Sequence, residues 1–424
     1  MSVASIPRSS LDRLVAPGAF RWATGIEDTF ITAPWPGSGR SLDEYELTGH
    51  YRRWREDLAL MAELGVGAAR YGIPWHRVNP APRRWEWRWA DAPLERLLEL
   101  GIDPIVDLVH YGVPPWLEGA FLAADFPARM AEYAVRVAER FRGQVHWFTP
   151  LNEPRITAWY CGKLGWWPPA RRGWRGFVEV LLAVCRGIVE TCRGLHAVDP
   201  EIVLAHVDAT DLYSAADPGL AREVLLREQL VFLALDLVSG SVGERHPLRA
   251  WLERHGASDD ALGWFGERAV PVDVVGINLY PMFTDKRLVP SPRGLRVRMP
   301  YATPQILDRL ARRYWRRYRR PVMVTETASL GTCARRLAWL EGSVATVRRL
   351  RSRGVPVVGY TWWPMFALVA WAYRQGRRGV HEYLLQMGLW DLARDRGLAR
   401  VRTPLVDAYG AIVARGAGAV GALA

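Results

Sequence analysis

Lysine and asparagine are nearly absent. Among 424 residues lysine occurs twice, at Lys163 and Lys286, and asparagine three times, at Asn79, Asn152 and Asn278. The other 54 of the 56 basic residues are arginine, scattered through the chain instead of gathered in one stripe. The net charge of +12 therefore reads as biased residue usage, and no nucleic-acid partner is expected. Scarcity also makes each asparagine informative, because another polar residue has replaced it wherever one would serve. The four cysteines, Cys161, Cys185, Cys192 and Cys333, have no CxxC or Cys/His spacing, which argues against a disulfide framework or a zinc site and for reduced thiols. The first twenty residues carry no apolar run or processing site, so export is not expected and a cytoplasmic location is. One uncharged stretch, residues 354–373, has the length of a membrane span. Pro356, Gly359 and Pro364 divide it into a short strand and a Trp-rich loop, so no membrane partner is expected.

What is plentiful is apolar and aromatic. Half of the residues are hydrophobic, enough for a large core, which excludes a disordered chain. Tryptophan occurs 21 times, and an indole offers a flat apolar face with one N–H donor, suited to sugars or aromatic ligands as well as to core filling. Short apolar runs begin near Trp22, Val66, Ile105, Val145, Ile202, Val272, Val322 and Val357, and most precede a stretch of helical periodicity. Met130, Tyr133, Ala134, Val137, Ala138 and Phe141 form one apolar stripe at i, i+3, i+4, i+7, i+8 and i+11. Similar stretches lie near residues 50–64, 91–100, 177–197, 302–318, 335–352 and 404–415. Eight strands apolar on both faces, alternating with helices, predict an α/β fold, a (β/α)8 TIM barrel. The rival, a doubly wound open sheet, lacks its Gly-rich fingerprint, since TGIEDTF follows the first run. No linker or repeat divides the chain. One domain is expected over residues 1–424, with a core of about 20–415, an extension at 1–19 and a helical insertion at 240–270.

In such a barrel the chemistry gathers at the C-terminal strand ends. Those ends carry Glu27, Arg70, His110, Asn152 with Glu153, His206 with Asp208, Asn278 with Tyr280, Glu326, and Trp362 with Trp363. All are expected at one mouth. Glu153 in VHWFTPLNEP and Glu326 in PVMVTETAS each end a hydrophobic run, where an unpaired carboxylate is costly. Each alone is explained equally well by a structural ion pair, Arg70 being the obvious partner. Together they supply what glycosidic cleavage needs, a protonated carboxyl group to aid the leaving oxygen and an ionised one to attack or to activate water. His206 and Asp208 lack a third ligand at metal-binding spacing, so no metal is assigned.

These segments resemble the retaining glycosidases of glycoside hydrolase family 1 and the wider clan of (β/α)8-barrel β-glycosidases, from about residue 20 to residue 391. TPLNEP is similar to the clan's acid/base segment, which implies that role for Glu153, and VTET to its nucleophile strand, which implies the nucleophile for Glu326. ARYGIPW, DLVHYGVPPWL, VVGINLYP and GYTWWP followed by LVAW resemble the family's strand-two, -three, -six and -eight segments. The resemblance implies Arg70 beside the nucleophile, His110 as a hydroxyl ligand, Tyr280 holding the nucleophile and Trp363 beneath the sugar, with Asn152, Asn278 and Trp371 completing the substrate contacts.

Two positions depart from the family. Where it has a glutamine gripping distal sugar hydroxyls, the segment ATGIEDTF offers Glu27 or Asp28, and a carboxylate only accepts where an amide also donates. Where it has a glutamate before the last Trp of the strand-eight loop, Ala370 precedes Trp371. No phosphate-binding segment of the phospho-glycosidases is recognisable. Trp166, Trp167 and Trp174, with Pro168 and Pro169, are expected to wall the cleft. The expected activity is retaining hydrolysis or transfer of a small β-glycoside without a cofactor, Arg70 and Tyr280 keeping Glu326 ionised while Glu153 holds its proton through a raised pKa. The alternative is a non-catalytic sugar-binding barrel.

Overall fold

The computed structural model describes residues 9–416 apart from Pro17 and Arg293. Eight strands close into a barrel: β1 Arg21–Gly25, β2 Ala68–Gly72, β3 Asp103–Asp107, β4 Trp147–Thr149, β5 Val203–Ala209, β6 Val274–Asn278, β7 Val322–Thr327 and β8 Val357–Trp362. Their order is β1-β8-β7-β6-β5-β4-β3-β2, every pairing is parallel, and β1 also pairs with β2 to complete the ring. The eight expected runs are these eight strands. The stretch once weighed as a membrane span contains β8, and no described helix is long and apolar enough to cross a membrane.

A helix follows each strand: α1 His50–Glu63, α2 Arg88–Glu99, α3 Phe126–Arg140, α4 Gly173–Val198, α5 Leu233–Val238, α6 Gln305–Tyr318, α7 Cys333–Ser352 and α8 Pro404–Arg415. The stripe read from α3 is the face it buries, with Met130, Tyr133, Ala134 and Val137 fully covered. Strand side chains divide by parity. Ala23, Ala68, Ile105, Trp147, Val203, Ala205, Val207, Val274, Met323 and Val358 form the inner cluster. Their neighbours Trp22, Ala69, Val106, Phe148, Leu204, Val275, Val322 and Val357 join the core between barrel and helices.

The extension before residue 20 contains a helix, Ser9–Val15, whose Leu14 belongs to the inner cluster with Leu11 packed against it. This helix closes the N-terminal end of the barrel, opposite the strand ends where the polar residues gather. The 240–270 insertion carries helices Arg249–Arg254 and Asp259–Glu267. It is tied to the frame through His246, whose Nε2 lies 3.2 Å from Asp236 in α5, while Arg317 of α6 pairs with the same carboxylate at 2.6 and 3.0 Å. Part of the arginine excess is thereby accounted for by buried ion pairs, since Arg70, Arg155, Arg336 and Arg400 are all covered and each is paired with an aspartate.

Candidate active site

Strict alternation along β7 points Met323 inward, Val324 outward, Thr325 inward and Glu326 outward. The pairing with β6 shifts register between Val324 and Glu326, and that with β8 between Val324 and Thr327. The irregularity lets two successive side chains face the interior, as a bulge does. Thr325 Oγ1 donates to Asn278 Oδ1 at 2.7 Å, and Glu326 reaches the cavity. Gly276 makes room, because a Cβ there would stand 2.8 Å from Thr325 Oγ1 and 2.7 Å from Val207.

Glu326 is held on both oxygens. Arg70 donates to Oε1, and the Tyr280 hydroxyl donates to Oε2 at 2.8 Å. The same guanidinium donates to Asp107 and, at 2.7 Å, to Asn152 Oδ1. Its flat fork is what permits three anchors at once.

Glu153 arrives by a different route. β4 ends at Thr149, Asn152 bridges to Val207, and Glu153 takes a left-handed φ of 47° before Pro154 opens a short helix. Such a backbone costs a non-glycine residue about 1–3 kcal/mol and persists where its surroundings hold it in place. Asn278 Nδ2 donates to Glu153 Oε1 at 2.9 Å, and the Tyr111 hydroxyl donates to Oε2. Two of the three asparagines are thus spent at this one site.

Across the cavity, Glu27 follows β1. It accepts from Thr29 Oγ1 at 2.6 Å and from Trp363 Nε1 at 3.1 Å. Trp363 lies parallel to the His110 ring at 6.0 Å, and Gly25 permits its approach, since a Cβ there would fall 2.2 Å from the indole. His110 Nδ1 lies 2.5 Å from Asp28 and 3.1 Å from Asp107. Its Nε2 lies 2.8 Å from Asn152 Nδ2. Because the Asn152 oxygen is committed to Arg70 and Asn278, the amide presents its donor to His110 and fits an unprotonated Nε2. The carboxylates act the other way. Burial disfavours charge on His110, but Asp28 and Asp107 together outweigh it and raise its pKa well above the ordinary value. Asp28, buried and only partly compensated by His110, is pushed up to about 6.

The cavity enclosed by these groups measures about 390 Å³ and is lined by Glu27, His110, Glu153, Asn278, Tyr280 and Glu326, with Ala370 and Trp371 on the β8 side. Six of the ten residues expected at the site therefore line it with the two carboxylates among them, and Trp371 makes a seventh. Three do not. Arg70, Asn152 and Trp363 are fully buried behind the lining, where Arg70 holds Glu326 and Asp107, Asn152 faces Arg70 and His110, and Trp363 donates to Glu27. Three further strand-end residues are also corrected. His206 and Asp208 have the parity of Leu204 and face the helices, and Trp362 is buried with its N–H on Met387 O. Burial pulls His206 down to about 4.

Trp166, Trp167, Pro168 and Pro169 wall a neighbouring groove of about 670 Å³, while Trp174 packs on Trp159 and Trp251. Tyr111 borders both spaces. Sequence reading passed over Tyr111, Asp107 and Lys286. Asp107 was signalled by a carboxylate inside an apolar strand, Tyr111 only by its place beside His110, and Lys286, which also lines the cavity, by being one of two lysines. Lys286 Nζ lies 2.8 Å from Asp211, which Arg155 also grips. Glu27, Asp28 and His110 have ligand atoms within 4.8 Å of one another, a spacing that suits a metal; the Glu27 oxygens are taken by Thr29 and Trp363 and Asp28 Oδ1 lies against His110, while Asp28 Oδ2 has no hydrogen-bond partner among the described residues.

The electrostatics reverse one expectation. Burial, with Glu153 and Glu27 nearby, pushes Glu326 up to about 8, Arg70 and His110 opposing, so the raised carboxyl is the one expected to stay ionised. Two buried carboxyl groups in one cavity resist ionising together. A pair that keeps one proton still has a donor and a nucleophile.

Residues 23–224, just under half of the chain, match Glycosyl hydrolase family 1. Over these residues the chain resembles that family. A bifunctional beta-D-glucosidase/beta-D-fucosidase of Bifidobacterium breve is 32% identical over 171 residues, 34% of this chain and 37% of that protein. The thermostable beta-glucosidase B of Thermobispora bispora is 32% identical over 174 residues, 35% and 36% respectively. The chain thus matches little more than a third of the length of these curated relatives. The structure of a beta-glucosidase from Thermotoga maritima superposes with a TM-score of 0.82 at 18% identity, covering 94% of this chain and 98% of that one. That likeness shows a shared (β/α)8 fold, including the part of the chain that the family match leaves out.

Proposed function

We propose that the family 1-like barrel is a retaining β-glycosidase. The observation that carries this reading is that Glu326, gripped by Arg70 and Tyr280, and Glu153, gripped by Tyr111 and Asn278, line one cavity. Glu326 attacks the anomeric carbon as the glycosidic C–O bond breaks, and Glu153 gives its proton to the leaving oxygen. Glu153 then takes a proton from water, whose oxygen displaces Glu326 from the same carbon. Arg70 and Tyr280 stabilise the carboxylate that leaves in this second step. Following hydrolysis of an aryl β-glycoside by proton NMR should give the β-anomer first. First release of the α-anomer would rule out the double displacement.

Tyr111 is the positioning group for the acid. Tyr111→Phe keeps the ring packed against Trp371 and Trp167 but removes the O–H aimed at Glu153. The expected result is a loss of about tenfold in kcat/KM on phenyl glycosides, within the usual worth of acid catalysis, and little change on dinitrophenyl glycosides, whose leaving group needs no proton. Equal losses on both would show that the tyrosine merely supports the fold.

The second reading, a sugar-binding barrel without turnover, is favoured by the burial of Trp363 and by Ala370, which leave fewer side chains to grip a glycone. It predicts saturable sugar binding with no product from any aryl glycoside.

A further inference from the structure

The carboxyl groups around this cavity outnumber their cations. Asp107 and Glu326 share Arg70, and Asp28 is paired with His110. Glu44, buried behind the β8 loop, accepts the Val369 N–H, and burial with Glu27 nearby raises its pKa well above the ordinary carboxyl range. Glu27 differs from all of these. It lines the cavity while 94% covered, and both its oxygens accept neutral donors, the Thr29 hydroxyl and the Trp363 N–H. Among the described residues its only ion-pair contact is His110 Nε2 at 3.9 Å, the nitrogen that faces the Asn152 amide. His110 gives its Nδ1 to Asp28 and Asp107 at closer range, so Glu27 has no cation of its own, and an enclosed, poorly compensated charge is costly.

Its surroundings supply no replacement. The side chains that the β8 loops add to the lining are Leu368, Ala370, Leu385, Met387 and the Trp371 ring, none of them charged. The lysine on the lining, Lys286, is already held by Asp211. A ligand that enters the cavity can supply the charge. The anomeric carbon of a bound sugar sits between Glu153 and Glu326, so the ring atoms that approach Glu27 are remote from it.

We infer that Glu27 selects an amino sugar, a glycone in which a protonated amino group replaces one hydroxyl away from the anomeric centre. An ammonium donates to the carboxylate through a charge-assisted bond, about twice as strong as the neutral bond a hydroxyl would make. The aromatic lining of Tyr111, Tyr280 and Trp371 tolerates a cation through its ring quadrupoles. This inference rests on the glycosidase reading for the orientation of the sugar, but its test does not depend on turnover.

Titration calorimetry on the full chain at pH 7 would compare methyl β-glycosides of 3-amino-3-deoxy-, 4-amino-4-deoxy- and 6-amino-6-deoxyglucose with methyl β-glucoside, in wild type and in Glu27→Gln. The glutamine keeps the shape of the side chain and an oxygen for Trp363. At least one amino glycoside should bind wild type about tenfold tighter than the neutral sugar, a difference of about 1.4 kcal/mol, and the preference should vanish in Glu27→Gln. Equal or tighter binding of the neutral sugar by wild type would overturn the inference without any variant. So would a preference that survives in Glu27→Gln. Amino-sugar binding without hydrolysis of the matching aryl glycoside would sustain the inference and sink the glycosidase reading, whereas hydrolysis of aryl glucoside with no amino preference would do the reverse.

Discussion

Glu326→Ala should lose at least about a thousandfold in kcat on every aryl β-glycoside that wild type cleaves, roughly 4 kcal/mol of barrier. Azide added to this variant should restore turnover and yield the α-glycosyl azide, because the small anion enters the space the carboxylate vacated and attacks from that face while Glu153 still protonates the leaving oxygen. Glu153→Ala should behave differently. It keeps the nucleophile, so glycosides with good leaving groups still form the covalent intermediate. Azide then attacks from the Glu153 side to give the β-glycosyl azide. The opposed stereochemistry follows from the proposed double displacement, in which the two carboxylates act on opposite faces of one anomeric carbon, and chromatography against authentic azides reads it directly. If Glu326→Ala kept its activity with its fold intact, or gave the β-azide, the roles assigned here would be abandoned.

How much of this was readable beforehand depends on which physical signal each feature leaves in a sequence. The barrel left a strong one. Strands buried on both faces appear as short apolar runs, and helices covering them as stripes, so both the eightfold alternation and the face of α3 were legible from Met130 to Phe141. Glu153 and Glu326 were legible because a carboxylate that ends an apolar run has few innocent explanations. The two departures from family 1, at Glu27 and Ala370, were legible as changes of residue type, and the structure adds that both line the cavity.

The direction of a side chain left no such trace. In VLAHVDA both faces of β5 are buried, so nothing in the pattern says that Val203, Ala205 and Val207 point inward and His206 and Asp208 outward. β7 is harder still. Alternation from Met323 would place Glu326 on the outer face, and only the register shift beside Val324 brings it inside. Cavity lining was illegible for a related reason. Arg70, Asn152 and Trp363 sit at strand ends as expected, but whether a side chain at the mouth meets a ligand or a neighbour depends on what covers it. Here Glu326, Asp107 and His110 cover the first two, and Glu27 holds the third. The raised value at Glu326 could not be read either, because it depends on the balance between burial and Arg70, both of them three-dimensional quantities.

Arg70→Met tests that balance. Methionine fills much of the volume but removes the charge from Glu326, Asp107 and Asn152 together. Deleting one member of a buried ion pair costs about 3–5 kcal/mol, because the partner stays buried and uncompensated. Arg70→Lys should recover only part of this, since one ammonium cannot span three anchors. The loss should depend on pH. Glu326 has an ordinary carboxyl pKa when unfolded and one near 8 when folded, so the folded state holds an extra proton between those values, and stability falls as pH rises through that window. Without Arg70, the main influence holding Glu326 down, its folded value rises further. Thermal melts should therefore show a smaller deficit near pH 5, where the group is protonated in both proteins, than near pH 8, where wild type gains from the ion pair and the variant cannot. The acid limb of kcat/KM should move upward in parallel, because the attacking form of Glu326 then appears only at higher pH. A deficit equal at both pH values with an unmoved acid limb would mean that Arg70 serves Asp107 and the packing of the barrel, and that the ionisation of Glu326 is governed by other groups.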